Sequence, residues 1–282
     1  MSSTFSSFGP DQITILGSGG ARFMATTQYR STGGFILNAL GGRIQCHVDP
    51  GPGAIRDVKD WKIDAKKTNY VFLTHEHNDH DMSIPVIVEA MQEDMEFRHA
   101  RGTFVAPSGY FESKRYYYRM LDRMIGLAPG DSAELEPGFS VTATVAHHSD
   151  EMPNVGYIME FSAPEEEIHY RIAFTSDTEP FDGYAAQYSG VDVLVANLLR
   201  PDDVICRGHI CTDQLIPLLQ EICPRICILV HFGRRMDSQE GGNHVPEQVR
   251  KIQDAVGPST VVIGSEDGLV IPFHSAIETV SL

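Results

Sequence analysis

His75, His77, Asp79 and His80 stand within the run Thr74-His75-Glu76-His77-Asn78-Asp79-His80. Imidazole and carboxylate groups together suit zinc, iron or manganese. The run follows Tyr70-Val71-Phe72-Leu73, which reads as a short buried strand. Side chains alternate along a strand, so His75 and His77 at its end point the same way. A turn after His77 swings Asp79 and His80 toward the same point. Four such groups exceed what one ion takes from one loop, so the spacing predicts two ions side by side. The plain alternative is a polar loop at a strand end, but chance rarely interleaves three histidines and an aspartate so closely.

Three more apolar strands end in groups of the same chemistry. Phe139 to Ala146, rich in β-branched residues, runs into His147-His148. Two neighbours cannot both face one metal, so either histidine is a candidate. Ile172-Ala173-Phe174 leads to Thr175-Ser176-Asp177, whose carboxylate either bridges two cations or caps the next helix. Ile226-Cys227-Ile228-Leu229-Val230 ends in His231. A further histidine, His209, lies in Arg207-Gly208-His209-Ile210-Cys211-Thr212, before a helix running from Asp213 to Glu221. A lone histidine there is as readily structural as catalytic, and Thr212 is placed to cap that helix.

The HxHxDH pattern of residues 75–80 resembles the metallo-β-lactamase fold. The Leu16-Gly17-Ser18-Gly19-Gly20 turn and the Val48-Asp49-Pro50-Gly51-Pro52-Gly53 strand end are similar to the opening of its ribonuclease Z-like branch. The resemblance extends over nearly all of the chain and implies an α/β fold, a four-layer αββα sandwich, as one domain over residues 1–282. It implies two divalent ions, zinc foremost, with manganese or iron as alternatives. His75, His77 and His148 would hold one ion and Asp79, His80 and His231 the other, with Asp177 as the bridge. His148 is preferred to His147 because Ser149-Asp150 and Gly156-Tyr157 follow it as they do the ligand in relatives. By the same resemblance Asp79 orients the nucleophile and takes its proton, His209 faces the leaving group as proton donor, and Asp49 supports the ligands from behind. Diiron oxygen-reducing members carry an acid where His77 stands, so a histidine there implies hydrolysis. Asp81-Met82-Ser83-Ile84-Pro85 departs from the family, which has a glycine soon after the Asp-His pair; Pro85 marks a helix start instead.

Composition bounds the substrate. The 282 residues carry 22 Lys and Arg against 38 Asp and Glu, a formal charge of −16, which argues against broad nucleic-acid binding. No apolar run is long enough for a membrane span, and Met1-Ser2-Ser3-Thr4 lacks the features of a signal peptide. With five cysteines, an odd number, a reducing cytoplasm is the expected compartment. Their spacing does not match a zinc ribbon, so they read as small buried or half-buried thiols.

Ribonuclease Z carries a long arm that grips tRNA, often between the strand-end histidine and the bridging aspartate. Here Ser149 to Ser176 reads as two strands and a turn. The expected reaction is therefore phosphodiester hydrolysis on a small molecule or short oligonucleotide. A lactonase or other carbon–oxygen ester hydrolase, a ribonuclease Z-type endonuclease and a non-catalytic metal-binding protein are the alternatives. A homodimer is left open. Residues 96–130 are a candidate lid. Within them, Tyr110 to Leu127 interleaves Lys114, Arg115, Arg119 and Arg123 with Tyr116, Tyr117 and Tyr118. This segment either holds a phosphate and stacks on a base or is an amphipathic surface helix; the helix is preferred, because alternate residues of a helix cannot all face a site.

Overall fold

The computed structural model describes residues 11–92, 101–112, 114–115, 118–166 and 168–273. In chain order these form β1 (Gln12–Ile15), α1 (Ala21–Thr27), β2 (Phe35–Ala39), β3 (Ile44–Val48), α2 (Ala54–Asp60), β4 (Tyr70–Phe72), α3 (Asn78–Asp81) and α4 (Ile84–Ala90). Next come β5 (Thr103–Pro107), β6 (Arg123–Leu127), β7 (Ser132–Glu136), β8 (Phe139–Val145), β9 (Val155–Ala163), β10 (Ile168–Phe174), α5 (Tyr184–Gln187) and β11 (Val193–Asn197). The last are α6 (Thr212–Ile222), β12 (Ile226–Val230), β13 (Asp237–Ser238), β14 (Gly242–Asn243), α7 (Val245–Val256), β15 (Val261–Gly264) and β16 (Val270–Pro272).

Two mixed seven-stranded sheets pack face to face, in the orders β16-β1-β2-β3-β4-β5-β6 and β15-β12-β11-β10-β9-β8-β7. Between them lies the main core, with Phe72, Phe139, Tyr157, Phe161 and Phe174 at its centre. Phe72 meets Tyr157 and Phe174 edge-on at centroid distances of 5.5 and 6.4 Å. Truncating such a ring to alanine costs about 3–5 kcal/mol. A second apolar layer seats α5, α6 and α7 on the outside of one sheet. A third covers the other sheet with α4. The expected four-layer αββα sandwich is what the chain forms.

The sheet topology places the site. β3 and β4 run parallel, as do β10, β11 and β12. β8 shares that direction, because β9 is antiparallel to both β8 and β10. The strand ends that carry Asp49, His75, His148, Asp177 and His231 therefore all emerge at one end of the sandwich. A ligand site outside the carboxyl ends of parallel strands follows the general rule for open α/β sheets.

Several local expectations change. α2 stops at Asp60, and a separate 3₁₀ turn follows at Ala65–Lys67. α4 begins as Pro85 predicts but is described only to Ala90. Cys211 rather than Thr212 caps α6, its N–H donating to the Gln214 side chain. Among the described residues, Tyr110 to Leu127 is not a helix: it makes turns up to Asp122 and then β6. Aromatic packing overrides the helical pattern, since Tyr110, Phe111 and Tyr118 all stack edge-on against Phe104 at 5.0–5.4 Å. Within the candidate lid, residues 96–100, 113, 116 and 117 lie outside the described residues, while β5 is a buried strand of the first sheet. Of the five cysteines, Cys46, Cys211 and Cys227 are buried thiols, Cys206 is half-buried and Cys223 exposed. Among the described residues no helix is long and apolar enough to cross a membrane.

Candidate metal centre

The turns around the candidate ligands are bent tightly. Asp49, Ser176 and His231 have φ of 47°, 62° and 64°, in the left-handed region that residues other than glycine adopt at a cost. Each follows a strand directly or nearly so, and the bend takes the side chains out of strand alternation and toward the cluster. Such strain concentrates at functional sites.

Two groups of side chains result, with a third that overlaps both. His75, His77, His148 and Asp177 form one, and Asp79, His80 and His231 the other; Asp177, His209 and His231 make the overlapping third, and within each the candidate ligand atoms lie within 4.8 Å of one another. His77 Nδ1 is 3.0 Å from both His75 Nε2 and His148 Nε2. His231 Nε2 is 3.3 Å from His80 Nε2 and 3.2 Å from Asp79 Oδ2. Asp177 joins the groups: its Oδ2 is 3.8 Å from His75 Nε2 and from His148 Nε2, and its Oδ1 is 3.2 Å from His231 Nε2. His75 is wholly buried, and Asp177, His80 and His231 nearly so. His147 turns away and stacks on Phe181 at 4.3 Å, so of the neighbouring pair His148 is the one in the cluster.

Hydrogen bonds behind the rings decide which nitrogen faces inward. His80 Nδ1 donates to Asp49 Oδ2 at 2.9 Å, and His148 Nδ1 donates to the Gly208 carbonyl at 2.9 Å. The Thr74 hydroxyl donates to Asp49 Oδ2 at 2.7 Å, so its oxygen accepts from His75 Nδ1 at 3.0 Å. With the outer nitrogens of His75, His80 and His148 committed as donors, those neutral rings turn bare lone pairs into the cluster, where a proton or a cation relieves the repulsion. Bonds of about 2.0–2.1 Å around a tetrahedral zinc would set neighbouring ligand atoms roughly 3.3 Å apart, close to the spacing here. Outer donors of this kind fix the tautomer that a metal requires. The donor set therefore fits divalent cations.

Electrostatics agree. Burial holds His75 well below the ordinary histidine pKa, and the neighbouring His80 adds to this. Burial, then His148, lowers His77. Burial opposes charge on His80, but the carboxylates of Asp79 and Asp49 raise its pKa well above the usual value. Without a cation, a proton on His80 neutralises the acids. Burial pushes against the charges of Asp79 and Asp177, yet His80 and His231 hold both carboxyls well below the usual range.

His209 sits at the edge of this cluster, its Nδ1 3.7 Å from Asp177 Oδ2 and its ring 4.8 Å from that of His148. Burial lowers its pKa to about 4, against the pull of Asp177. The ring is uncharged near neutral pH and offers an N–H hydrogen bond rather than a spare proton. Arg115 lines a separate hollow with Phe111 and Met124, and Arg123 donates to the Leu135 carbonyl. Lys114 instead pairs with Glu76, inside the histidine loop.

Two contributors escaped the sequence reading. Asn197 donates from Nδ2 to Asp177 Oδ1 at 2.8 Å, fixing the carboxylate that joins the two groups. It ends the apolar run of β11, the same signal that marked His75, Asp177 and His231. Arg22 lines the cleft above the cluster, which has a volume of about 400 Å³ and is also lined by Glu76, His77, Asp79, His148 and His209.

Residues 45–232, which include every member of both groups, match the model of the beta-lactamase superfamily domain. The chain is 32% identical over 239 residues to an uncharacterized protein of Methanocaldococcus jannaschii, covering 81% of this chain and 85% of that one. It is 25% identical over 275 residues to the ribonuclease Z of Nocardia farcinica, covering 79% and 88%. The crystal structure of the metallo-beta-lactamase fold protein YhfI from Bacillus subtilis superposes with a TM-score of 0.70 at 19% identity, over 93% of this chain and 98% of that one. The chain belongs to the beta-lactamase superfamily, as a ribonuclease Z-like hydrolase of the metallo-β-lactamase fold.

Proposed function

We propose that this protein is a phosphodiesterase that holds two divalent ions, zinc foremost, and acts on small nucleotide-type substrates. The observation that carries the reading is the pair of ligand groups joined by Asp177 at the floor of one cleft. His75, His77 and His148 would hold one ion and Asp79, His80 and His231 the other. When bound, a pair of cations supplies Lewis acidity and brings the pKa of water toward neutrality. Asp79, ionised at neutral pH, has an acceptor oxygen for the proton of an attacking water. Ala21 N–H donates to the same carboxylate at 2.6 Å and holds it in place. His209 would direct its N–H to the leaving oxygen.

The ribonuclease Z relatives support a phosphodiester as the bond attacked. Two features support a small substrate. The cleft volume is that of a small-molecule site. Between His148 and Asp177 the described residues are a short loop to Asn154, then β9, the turn after it and β10, in place of a long arm. Metal-loaded protein should hydrolyse bis(p-nitrophenyl) phosphate, and a His75→Ala variant should not. Equal rates for the two proteins, or a clear preference for lactones in a side-by-side panel, would overturn the proposal.

A further inference from the structure

Arg22 lies in the cleft, and its position is fixed by the metal cluster itself. Gly20 packs so tightly on His231 that a Cβ there would fall 2.0–2.3 Å from three ring atoms. Ala21, at φ 63°, is pinned to Asp79 through its N–H. The next residue along is Arg22, on the first turn of α1. Among the described residues lining the cleft it is the one Lys or Arg side chain. Its guanidinium has no hydrogen bond or ion pair within the described residues, and it is exposed to the cleft and solvent.

The other charges of the cleft are already committed. Asp79 and Asp177 face the cluster, and Glu76 is neutralised by Lys114. Once two cations are in place, an unpaired guanidinium beside them adds positive charge to a positive site. That arrangement draws an anion toward it. The scissile phosphate would be engaged at the cluster, so the group for Arg22 is a second one. A guanidinium matches phosphate through paired N–H donors better than any other side chain.

We infer that Arg22 is a specificity-determining residue that binds a second phosphate of the substrate, selecting nucleotide-type compounds with two phosphate groups over those with one. This deepens the phosphodiesterase reading and rests on it for the chemical class. It displaces Arg115, Arg119 and Arg123, none of which lines the cleft.

The test is equilibrium binding to the metal-loaded protein, with adenosine 3′,5′-bisphosphate and adenosine monophosphate as probes. The wild type should bind the bisphosphate more tightly by about tenfold or more, the scale of a charge-assisted contact. Arg22→Ala should remove most of that ratio, and Arg22→Lys should keep part of it. Arg235→Ala, an equal change of charge in a different surface hollow, should keep the full ratio. The inference is overturned if the wild type does not prefer the bisphosphate, if Arg22→Ala retains the preference, or if Arg235→Ala loses it equally. Selective binding without hydrolysis of bis(p-nitrophenyl) phosphate would count against the phosphodiesterase reading alone.

Discussion

Asp49 accepts a hydrogen bond from His80 Nδ1 at 2.9 Å and, on the same oxygen, one from the Thr74 hydroxyl at 2.7 Å. Through Thr74 it also orders His75, so one carboxylate orients a ring in each ligand group. An amide at this position has one acceptor oxygen and turns an N–H toward a donor. We expect Asp49→Asn to weaken metal binding by about 10–100-fold, as loss of an outer-sphere partner does elsewhere. Competition with a chromophoric chelator measures it; unchanged affinity would show that the rings hold their orientation without Asp49.

Gly20 is a separate probe of the same centre. Its φ of −153° is extended backbone open to any residue, so alanine meets no conformational penalty. The added Cβ would instead strike the His231 ring. Gly20→Ala should therefore displace His231 and lower the metal content from the proposed two ions per chain toward one, with the sandwich intact. Metal analysis beside circular dichroism reads both, and full occupancy with two ions would refute the expectation.

The convergence of His75, His77, Asp79 and His80 was legible from their close spacing after an apolar run, although β4 ends at Phe72 and the short helix α3, not a strand end and a turn, carries Asp79 and His80. The strand-end groups His148, Asp177 and His231 were legible by the same rule, since each closes an apolar run. The side chain a tight turn presents was not. His147 and His148 differ in the structure because one ring finds Phe181 and the other the Gly208 carbonyl, both distant in sequence. Tyr110 to Leu127 misled for a related reason. Its helical spacing is real, but Phe104 offers the aromatic rings a better partner than a helix surface does. Arg22 carries no local signal at all: its importance comes from Gly20 and Ala21 being pinned to His231 and Asp79, 58 or more positions away.

Metal affinity should depend on pH through His80. In the metal-free chain its pKa is raised, with Asp79 and Asp49 outweighing burial. For folding, that contribution is complete below the ordinary value of about 6.5 and is lost as pH rises through the raised value. Binding runs the opposite way, because a cation needs the neutral ring. Affinity should fall by up to about tenfold per pH unit once pH drops below the raised pKa of His80. Asp49→Asn, which removes one of the charges behind that rise, should shift the onset to lower pH. Calorimetric titrations in buffers of different ionisation enthalpy would count the released proton; none released near neutral pH would contradict the assignment.

His209 separates two mechanisms for leaving-group departure. At a pKa of about 4 the ring is neutral across the physiological range, so its help to a departing oxygen is an N–H hydrogen bond unless the substrate's negative charge raises the pKa on binding. p-Nitrophenolate leaves without protonation, whereas a ribose hydroxyl needs a proton or a strong donor. His209→Ala should accordingly cost little with bis(p-nitrophenyl) phosphate and about 10²–10⁴-fold in kcat with a diester of an unactivated alcohol, the span of general-acid effects. The pH profile then distinguishes the modes. A hydrogen-bond donor gives a rate with the unactivated diester that stays level from pH 6 to 8. A true acid gives a rate that falls as pH rises through the pKa of the bound complex, and His209→Ala abolishes that limb. Equal losses with both substrates would remove His209 from the leaving-group side and leave it as a positioning partner of Asp177, 3.7 Å away.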